Sequence, residues 1–274
     1  MPTPWVDPTA VELADAAMQK PGVCKERAAS LLMKALYLAR MVRLDLNWVM
    51  NTISRQVTKW TVLQDRQICR LYGYLMATVE LELHSTVFPG DLGNVKLEGY
   101  PDADLAGAFD SARSTSGGFV GLAGDAGTSV PLEWYSKRQT ATSHSTTEAE
   151  LVSASKMLRE HLLPQQILWE AMLGRPVSAK LFEDNQSTIT TILNGYSQQL
   201  RFLAKHHRIS LSLVHEICTD ALNSIALEYI PTDLQKGDLM TKGLDRGKLE
   251  KALELVKLRM PALVAAFCAV LRKP

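Results

Sequence analysis

GYPDADLAG, residues 99–107, sets two acids, Asp102 and Asp104, one residue apart where an alternating apolar stretch ends. In an extended chain residues i and i+2 point to one face, so on a strand these carboxylates would crowd the same spot. Such a pair either marks a polar turn or belongs to something that binds a cation. The choice turns on what the rest of the chain brings to that strand end.

Around this stretch, runs with strand character follow one another: VKLEGY (95–100), GGFVGLAG (117–124) and PLEWYSK (131–137), separated by Gly, Asp and Ser. Short connections predict an antiparallel meander. A long helix is predicted from STTEAEL (145–151), with Leu151, Ser155, Leu158, Leu162, Trp169 and Met172 on one stripe and a kink at Pro164. SAKLFEDN (178–185) reads as a strand leading directly into helix NQSTITTILNG, which stops at Gly195. Another helix is expected over 202–222, then strand IALEYIP (225–231), then a C-terminal helix. Strands and helices in this order imply an α/β fold, a mixed sheet with helices on its faces. Upstream, residues 8–78 read as helices, with Ala29, Leu32, Ala35, Leu36 and Ala39 at helical spacing. The turn formers of FPGDLGN (88–94) mark the boundary between this small helical region and the sheet.

Bulk properties narrow the field. With 274 residues the chain suffices for one large domain or two modest ones, and a net charge of +1 gives no bulk attraction to nucleic acid or membrane. Cys24, Cys69, Cys218 and Cys268 are scattered without a CxxC pair, which predicts reduced thiols in an intracellular protein, cytoplasmic or nuclear, rather than zinc or disulfides. The N-terminal residues lack the basic-then-apolar pattern of a secretory leader. The longest apolar run, MPALVAAFCAVL (260–271), is too short to span a bilayer and contains a proline, so no membrane partner is expected.

Sites in open sheets form where strands end and helices begin. Asp102 ends the first strand, Glu150 sits in the first turns of the long helix, Asp184 ends the fourth strand, and Asp238 is expected near the start of the last helix. Each also has a local explanation. Thr147 with Glu150, and Ser145 with Glu148, both fit capping boxes, and Asp184 and Asp238 fit helix-start acids.

Taken together, the ordered blocks GYPDADLAG, STSGG, EWYSKRQ, STTEAEL, EDNQS, KHHRIS, EYIPT and DLMTK resemble the ribonuclease H domain of copia-type retrotransposon polyproteins. The stretch from AASLLMKALYLARM to RLYGYLMAT resembles the region joining polymerase to ribonuclease H in the same polyproteins. The resemblance implies a five-stranded mixed sheet with flanking helices over 95–259, a helical connection or thumb region over 1–90, and an unassigned tail over 260–274. It also implies that Asp102, Glu150, Asp184 and Asp238 are catalytic metal ligands, with Asp104 a supporting or turn residue. Clustered carboxylates repel, by roughly 4 kcal/mol per pair at ~4 Å and an effective dielectric of ~20, and two Mg²⁺ ions, or Mn²⁺ in their place, would reverse that sign.

The implied activity is metal-dependent endonucleolytic hydrolysis of the RNA strand of RNA–DNA hybrids. Lys137, Arg138, Lys205 and His206 form the best local basic patches for the hybrid, and Asn185 and Gln186 follow directly after a metal-site acid. Asn185 alternatively caps its helix, and His207 reads as partly buried structure. Two positions depart from the family pattern: Arg208 stands where an acid is usual, and Leu105 replaces a tryptophan. No Asp-Asp dipeptide occurs, so the polymerase site is missing, and the polymerase part of a reverse transcriptase is an expected partner of a fragment. A catalytically silent remnant that only binds nucleic acid or a partner is the alternative. A resolvase or integrase-like nuclease fits the acids but not the ordered blocks.

Overall fold

The computed structural model describes residues 2–107, 112–223 and 225–261. The chain divides into two compact units, one formed by 1–84 with 243–274 and the other by 85–242. The cut differs from the expected 95–259: the C-terminal helix, Arg246–Leu255, falls with the N-terminal helices. A two-stranded antiparallel ladder explains the difference, since Glu82 and Leu83 pair with Arg259 and Leu258 within that unit. The tail beyond 261 lies outside the described residues, as does Cys268; Cys24, Cys69 and Cys218 are free thiols. Among the described residues no helix is long and apolar enough to cross a membrane.

The helical unit contains α1 (Ala28–Met41), α2 (Asn47–Ser54) and α3 (Val62–Ala77). Helix α1 buries Ala28, Leu32, Ala35 and Ala39, the small and apolar stripe read from the 3.6-residue period. Helix α3 begins at a capping box in which Thr61 and Gln64 satisfy each other's backbone N–H groups.

The second unit is ribonuclease H-like. Its five strands are β1 (Lys96–Asp104), β2 (Thr115–Ala123), β3 (Ser129–Arg138), β4 (Ala179–Glu183) and β5 (Ile225–Tyr229), in the spatial order β3-β2-β1-β4-β5. Strands β1, β2 and β3 form the predicted antiparallel meander, while β4 and β5 join β1 in parallel. Edge strand β3 carries Pro131 beside a bulge opposite Val120 and Gly121, where a missing N–H is tolerated. Its helices are α4 (Thr146–Lys156), α5 (Leu163–Leu173), α6 (Gln186–Asn194) and α7 (Leu211–Thr219).

The core of this unit lies between sheet and helices. Leu97, Val120, Leu122, Ala179 and Leu181 from the strands meet Leu151, Ala154, Met157, Leu158 and Leu162, all buried. Each such Leu, Val or Met side chain contributes about 1.5–3 kcal/mol by leaving water. The interruption expected at Pro164 takes the form of a π turn over Met157–Leu162. Proline has no N–H to donate and crowds the carbonyl four residues back; the wider turn accommodates both effects. The single helix expected over 202–222 is broken in two, Leu203–His206 and α7, because Arg208 adopts a left-handed φ of 58° that cannot continue a helix.

Candidate metal centre

Asp102 sits near the end of β1, opposite Gly117 of β2. Helix α4 is fixed beside that strand end by Ser153, whose hydroxyl donates to the Asp102 carbonyl at 2.7 Å and lies 3.2 Å from the Gly117 carbonyl. That bond sets the height of Glu150, one turn earlier on the same helix. Ser145 is the helix N-cap, and Glu148 accepts from the His144 N–H at 2.8 Å. Neither expected capping box closes: Glu148 takes the His144 N–H rather than that of Ser145, and Glu150 is turned into the site rather than back to Thr147. Asp184 follows β4 directly, and Asn185 caps α6 by accepting from Ser187 and Thr188.

One carboxylate oxygen each from Asp102, Glu150 and Asp184 lies within 4.8 Å of the other two. Asp102 and Glu150 are buried, and Asp184 is half-buried. Glu150 Oε2 is shut away from solvent and has no hydrogen-bond partner. A buried, unpartnered carboxylate oxygen is unfavourable unless a proton or cation meets it.

Asp238 is placed differently from its expected position. It lies in a 3₁₀ turn, Lys236–Met240, rather than at the last helix, which belongs to the other unit. Buried Gln235 pins that turn to the sheet: its amide donates to the Pro101 carbonyl at 3.0 Å while its oxygen accepts from the Gly237 N–H. Position 237 admits no side chain, because a Cβ there would lie 2.7 Å from the Tyr100 carbonyl and 2.8 Å from Asp102 Cβ. Close backbone approach at Gly237 thus brings the turn that carries Asp238 against Asp102.

Three further residues complete the site, and none was singled out from the sequence. Lys242 Nζ is 2.6 Å from Asp238 Oδ1 and 4.0 Å from Asp102 Oδ2. The Thr241 hydroxyl donates to Asp102 Oδ2. Glu183 is fully buried beside Asp184, with one oxygen accepting from the Asn185 N–H and the other unpartnered. The i,i+4 spacing of Asp238 and Lys242 was a readable signal. Glu183 gave none, since a lone acid at a strand end reads as exposed until the packing buries it.

The electrostatics follow from burial. Desolvation, then the carboxylates of Asp102, Glu183 and Asp184, push the Glu150 carboxyl far above its usual range. Burial raises Glu183, Asp184 and Asp238 as well. Asp102 is raised by burial, although Lys242 pulls the other way. For Lys242, burial opposes the charge, yet Asp102 and Asp238 outweigh it and hold the amine protonated.

The remaining predicted positions stand outside this cluster. Lys137 is exposed and Arg138 half-buried at the end of β3. Gln186, Lys205 and His206 are exposed, and His206 Nε2 lies 3.1 Å from the Thr142 carbonyl. His207 is buried, 3.1 Å from Glu148, the structural position read for it. Asp104 ends β1 half-buried.

No family model matches the chain. The retrovirus-related Pol polyprotein of transposon TNT 1-94 from Nicotiana tabacum is 31% identical over 160 residues, which is 58% of this chain but 11% of that polyprotein. A protein named secreted RxLR effector protein 161, from Plasmopara viticola, is 33% identical over 130 residues, covering 46% of this chain and 82% of its own length. Among solved structures, RNase H1 of the halophilic archaeon Halobacterium salinarum NRC-1 is similar at 14% identity and a TM-score of 0.34, with 58% of this chain and 98% of that one covered. The chain thus spans about a tenth of the transposon polyprotein and most of the effector-named protein. The chain belongs to one sequence family with the effector-named protein, and its likeness over 160 residues to the retrotransposon Pol polyprotein is consistent with a ribonuclease H segment of such a polyprotein.

Proposed function

We propose that the sheet unit is a metal-dependent endonuclease that hydrolyses the RNA strand of RNA–DNA hybrids. The observation that carries this reading is the meeting of Asp102, Glu150 and Asp184 within 4.8 Å, with a buried Glu150 oxygen that has no protein partner. Hard carboxylate oxygens on rigid elements suit Mg²⁺ or Mn²⁺. Those three residues would hold the ion. A bound divalent cation would supply Lewis acidity, making water a better nucleophile and easing charge on the departing oxygen.

The protein's own groups do the positioning. Ser153 fixes α4 against β1, Asn185 fixes the start of α6, and Thr241 orients Asp102. Lys137, Arg138, Lys205 and His206 offer cationic or protonatable groups toward phosphates, and the Gln186 amide, exposed next to the site, can meet a sugar hydroxyl. Asn185 Oδ1 is already committed to its helix cap, so its contribution to a hybrid is confined to the amide nitrogen.

The test is cleavage of a labelled hybrid, compared with DNA duplex and RNA duplex, by purified protein over a Mg²⁺ and Mn²⁺ titration. Cutting of the RNA strand of the hybrid alone, lost in Asp184→Asn, is the expected result. Equal cutting of duplex DNA would assign a resolvase-like nuclease. Absence of cutting under all metals would leave a binding remnant.

A further inference from the structure

Glu150 is placed by its backbone rather than by bonds of its own carboxylate. Its Oε2 makes no hydrogen bond, and the neighbouring acids repel it. Helix α4 is fastened to the sheet on both sides of this residue. On one side the Ser153 hydroxyl donates to the Asp102 carbonyl and also reaches that of Gly117. On the other side the Ala149 carbonyl accepts from the Gln139 amide at 2.9 Å. The same amide nitrogen donates to the Ser116 hydroxyl at 2.9 Å, and the amide oxygen accepts from the Ser143 hydroxyl at 2.8 Å. Gln139 is itself anchored: it follows β3, its N–H donates to the Ser114 carbonyl at 2.8 Å, and it is only 5% exposed. We propose that Gln139 is a positioning residue that, together with Ser153, holds Glu150 beside Asp102 before any cation arrives. The inference rests on the metal-dependent reading above and names what preforms that site.

The two fastenings land on consecutive residues of β2. Gln139 takes Ser116 and Ser153 takes Gly117, and across the ladder these residues pair with Ala103 and Asp102 of β1. On the helix, Ala149 and Ser153 are four residues apart and so share one face, with Glu150 between them in the chain. Sliding or rolling α4 against the strand end that carries Asp102 would break one bond or the other. A primary amide suits this task because one planar group offers two donors and an acceptor. Here it ties β2, the first turn of α4 and the connection over 140–145 to a single point. Methionine would fill much the same space but would leave the buried Ser143 hydroxyl without its acceptor and α4 without its second attachment. The clamp matters most in the metal-free protein, where repulsion among the acids pushes Glu150 away from Asp102 and no ion opposes it.

Gln166 supplies the control. It is 6% exposed, and its amide donates to the Val177 carbonyl at 2.7 Å, tying α5 to the residues before β4 rather than to the acids. The test uses the full-length protein and does not rely on turnover. Mn²⁺ binding to chelator-stripped protein is followed by electron paramagnetic resonance, and hydrogen exchange over 145–153 is followed by mass spectrometry without metal. Gln139→Met should weaken Mn²⁺ binding by ~10–100-fold, the range for groups that orient metal-binding residues, and should speed exchange over 145–153. Gln166→Met, which also loses a buried amide bond, should leave both readings at their wild-type values. Urea midpoints report the stability of each variant. Should Gln139→Met fail to fold, Ser116→Ala and Ser143→Ala, each removing one partner of the amide, should shift both readings in the same direction. Wild-type affinity in the Gln139→Met or serine variants, or an equal loss in Gln166→Met, would overturn the positioning role and leave the ion site standing. A wild type that binds no Mn²⁺, or Glu150→Gln binding it as tightly as the wild type, would instead remove the ion site and the inference with it.

Discussion

In the helical unit the Asp45 side chain has no exposed surface, and Arg43 grips it with hydrogen bonds of 3.0 and 2.7 Å. The Tyr74 hydroxyl donates to the same carboxylate at 2.6 Å. Arg43 also donates to Thr78, through the backbone carbonyl at 3.1 Å and the hydroxyl at 2.9 Å. In the sheet unit Asp102 and Glu150 are just as buried, but several acids share one lysine and a Glu150 oxygen is left with nothing. Both regions take carboxylates out of water. The first compensates every one of them from within the chain, and the second leaves a deficit of positive charge. A closed network of this kind is architecture. An open one, with clustered acids whose charges the chain does not balance, marks a candidate functional site.

The largest effect should come from the open cluster. Asp102→Asn removes a carboxylate shared by the trio and by Lys242, and on the proposed function hybrid cleavage should fall by more than the ~10–100-fold that outer-shell substitutions cause. Folding should survive, because the change lowers repulsion among the acids; far-ultraviolet circular dichroism and a cleavage time course check both halves. Full cleavage in this variant would break the contrast between the two regions.

The closed network should respond in the opposite way. Asp45→Ala strands a buried guanidinium and should destabilise the protein by about 3–5 kcal/mol in a denaturant titration. Replacing both partners, Arg43→Met with Asp45→Leu, should recover most of that loss, since neither charge is then buried alone. A third measurement sharpens the comparison from the ligand side. Saturating Mg²⁺ at about 100 times its Kd should raise wild-type stability by about 2.7 kcal/mol, and the gain should vanish in Glu150→Gln. Asp45→Ala should keep that gain in full if the two regions act independently.

The sequence made one half of this contrast far more readable than the other. The alternation in VKLEGY and the strand-to-acid-to-helix order of KLFEDNQS placed Asp102 and Asp184 each at a strand end, because period and capping are local signals, while only the family resemblance implied that the two ends meet. Asn185 had two readings, and the cap accounts for its oxygen. Pro164 announced an interruption, but not that a π turn would absorb it. The break at Arg208 was invisible, since no glycine or proline marks its left-handed backbone. The placement of Asp238, the reach of Lys242 and the pairing of Glu82 with Arg259 depend on partners far away in sequence, which no local pattern encodes. The same holds for Arg43 and Asp45: their neighbours Tyr74 and Thr78 come from another helix and its end.

Asp65 offers a carboxylate intermediate between the two extremes, half-buried and held by neutral donors alone. It accepts from the Val23 N–H at 2.5 Å, the Cys24 N–H at 3.1 Å and the Trp60 indole at 2.7 Å. Burial raises its pKa, but these bonds outweigh it and the carboxyl titrates below its ordinary value of 3.8. A depressed folded-state value means that the folded protein binds this proton less readily than the unfolded chain. The stabilisation is therefore fully present above about pH 4 and is lost as pH falls through the folded value. Asp65→Asn should lower stability at pH 7 by about 1–2 kcal/mol, because an amide oxygen accepts less strongly and its NH₂ faces donors. The deficit should shrink as the solution is acidified, since the wild type then loses the same charge. Urea midpoints of both proteins between pH 7 and pH 3 give the measurement, and a gap that stays constant over that range would show that packing, not the anion, holds the start of α3.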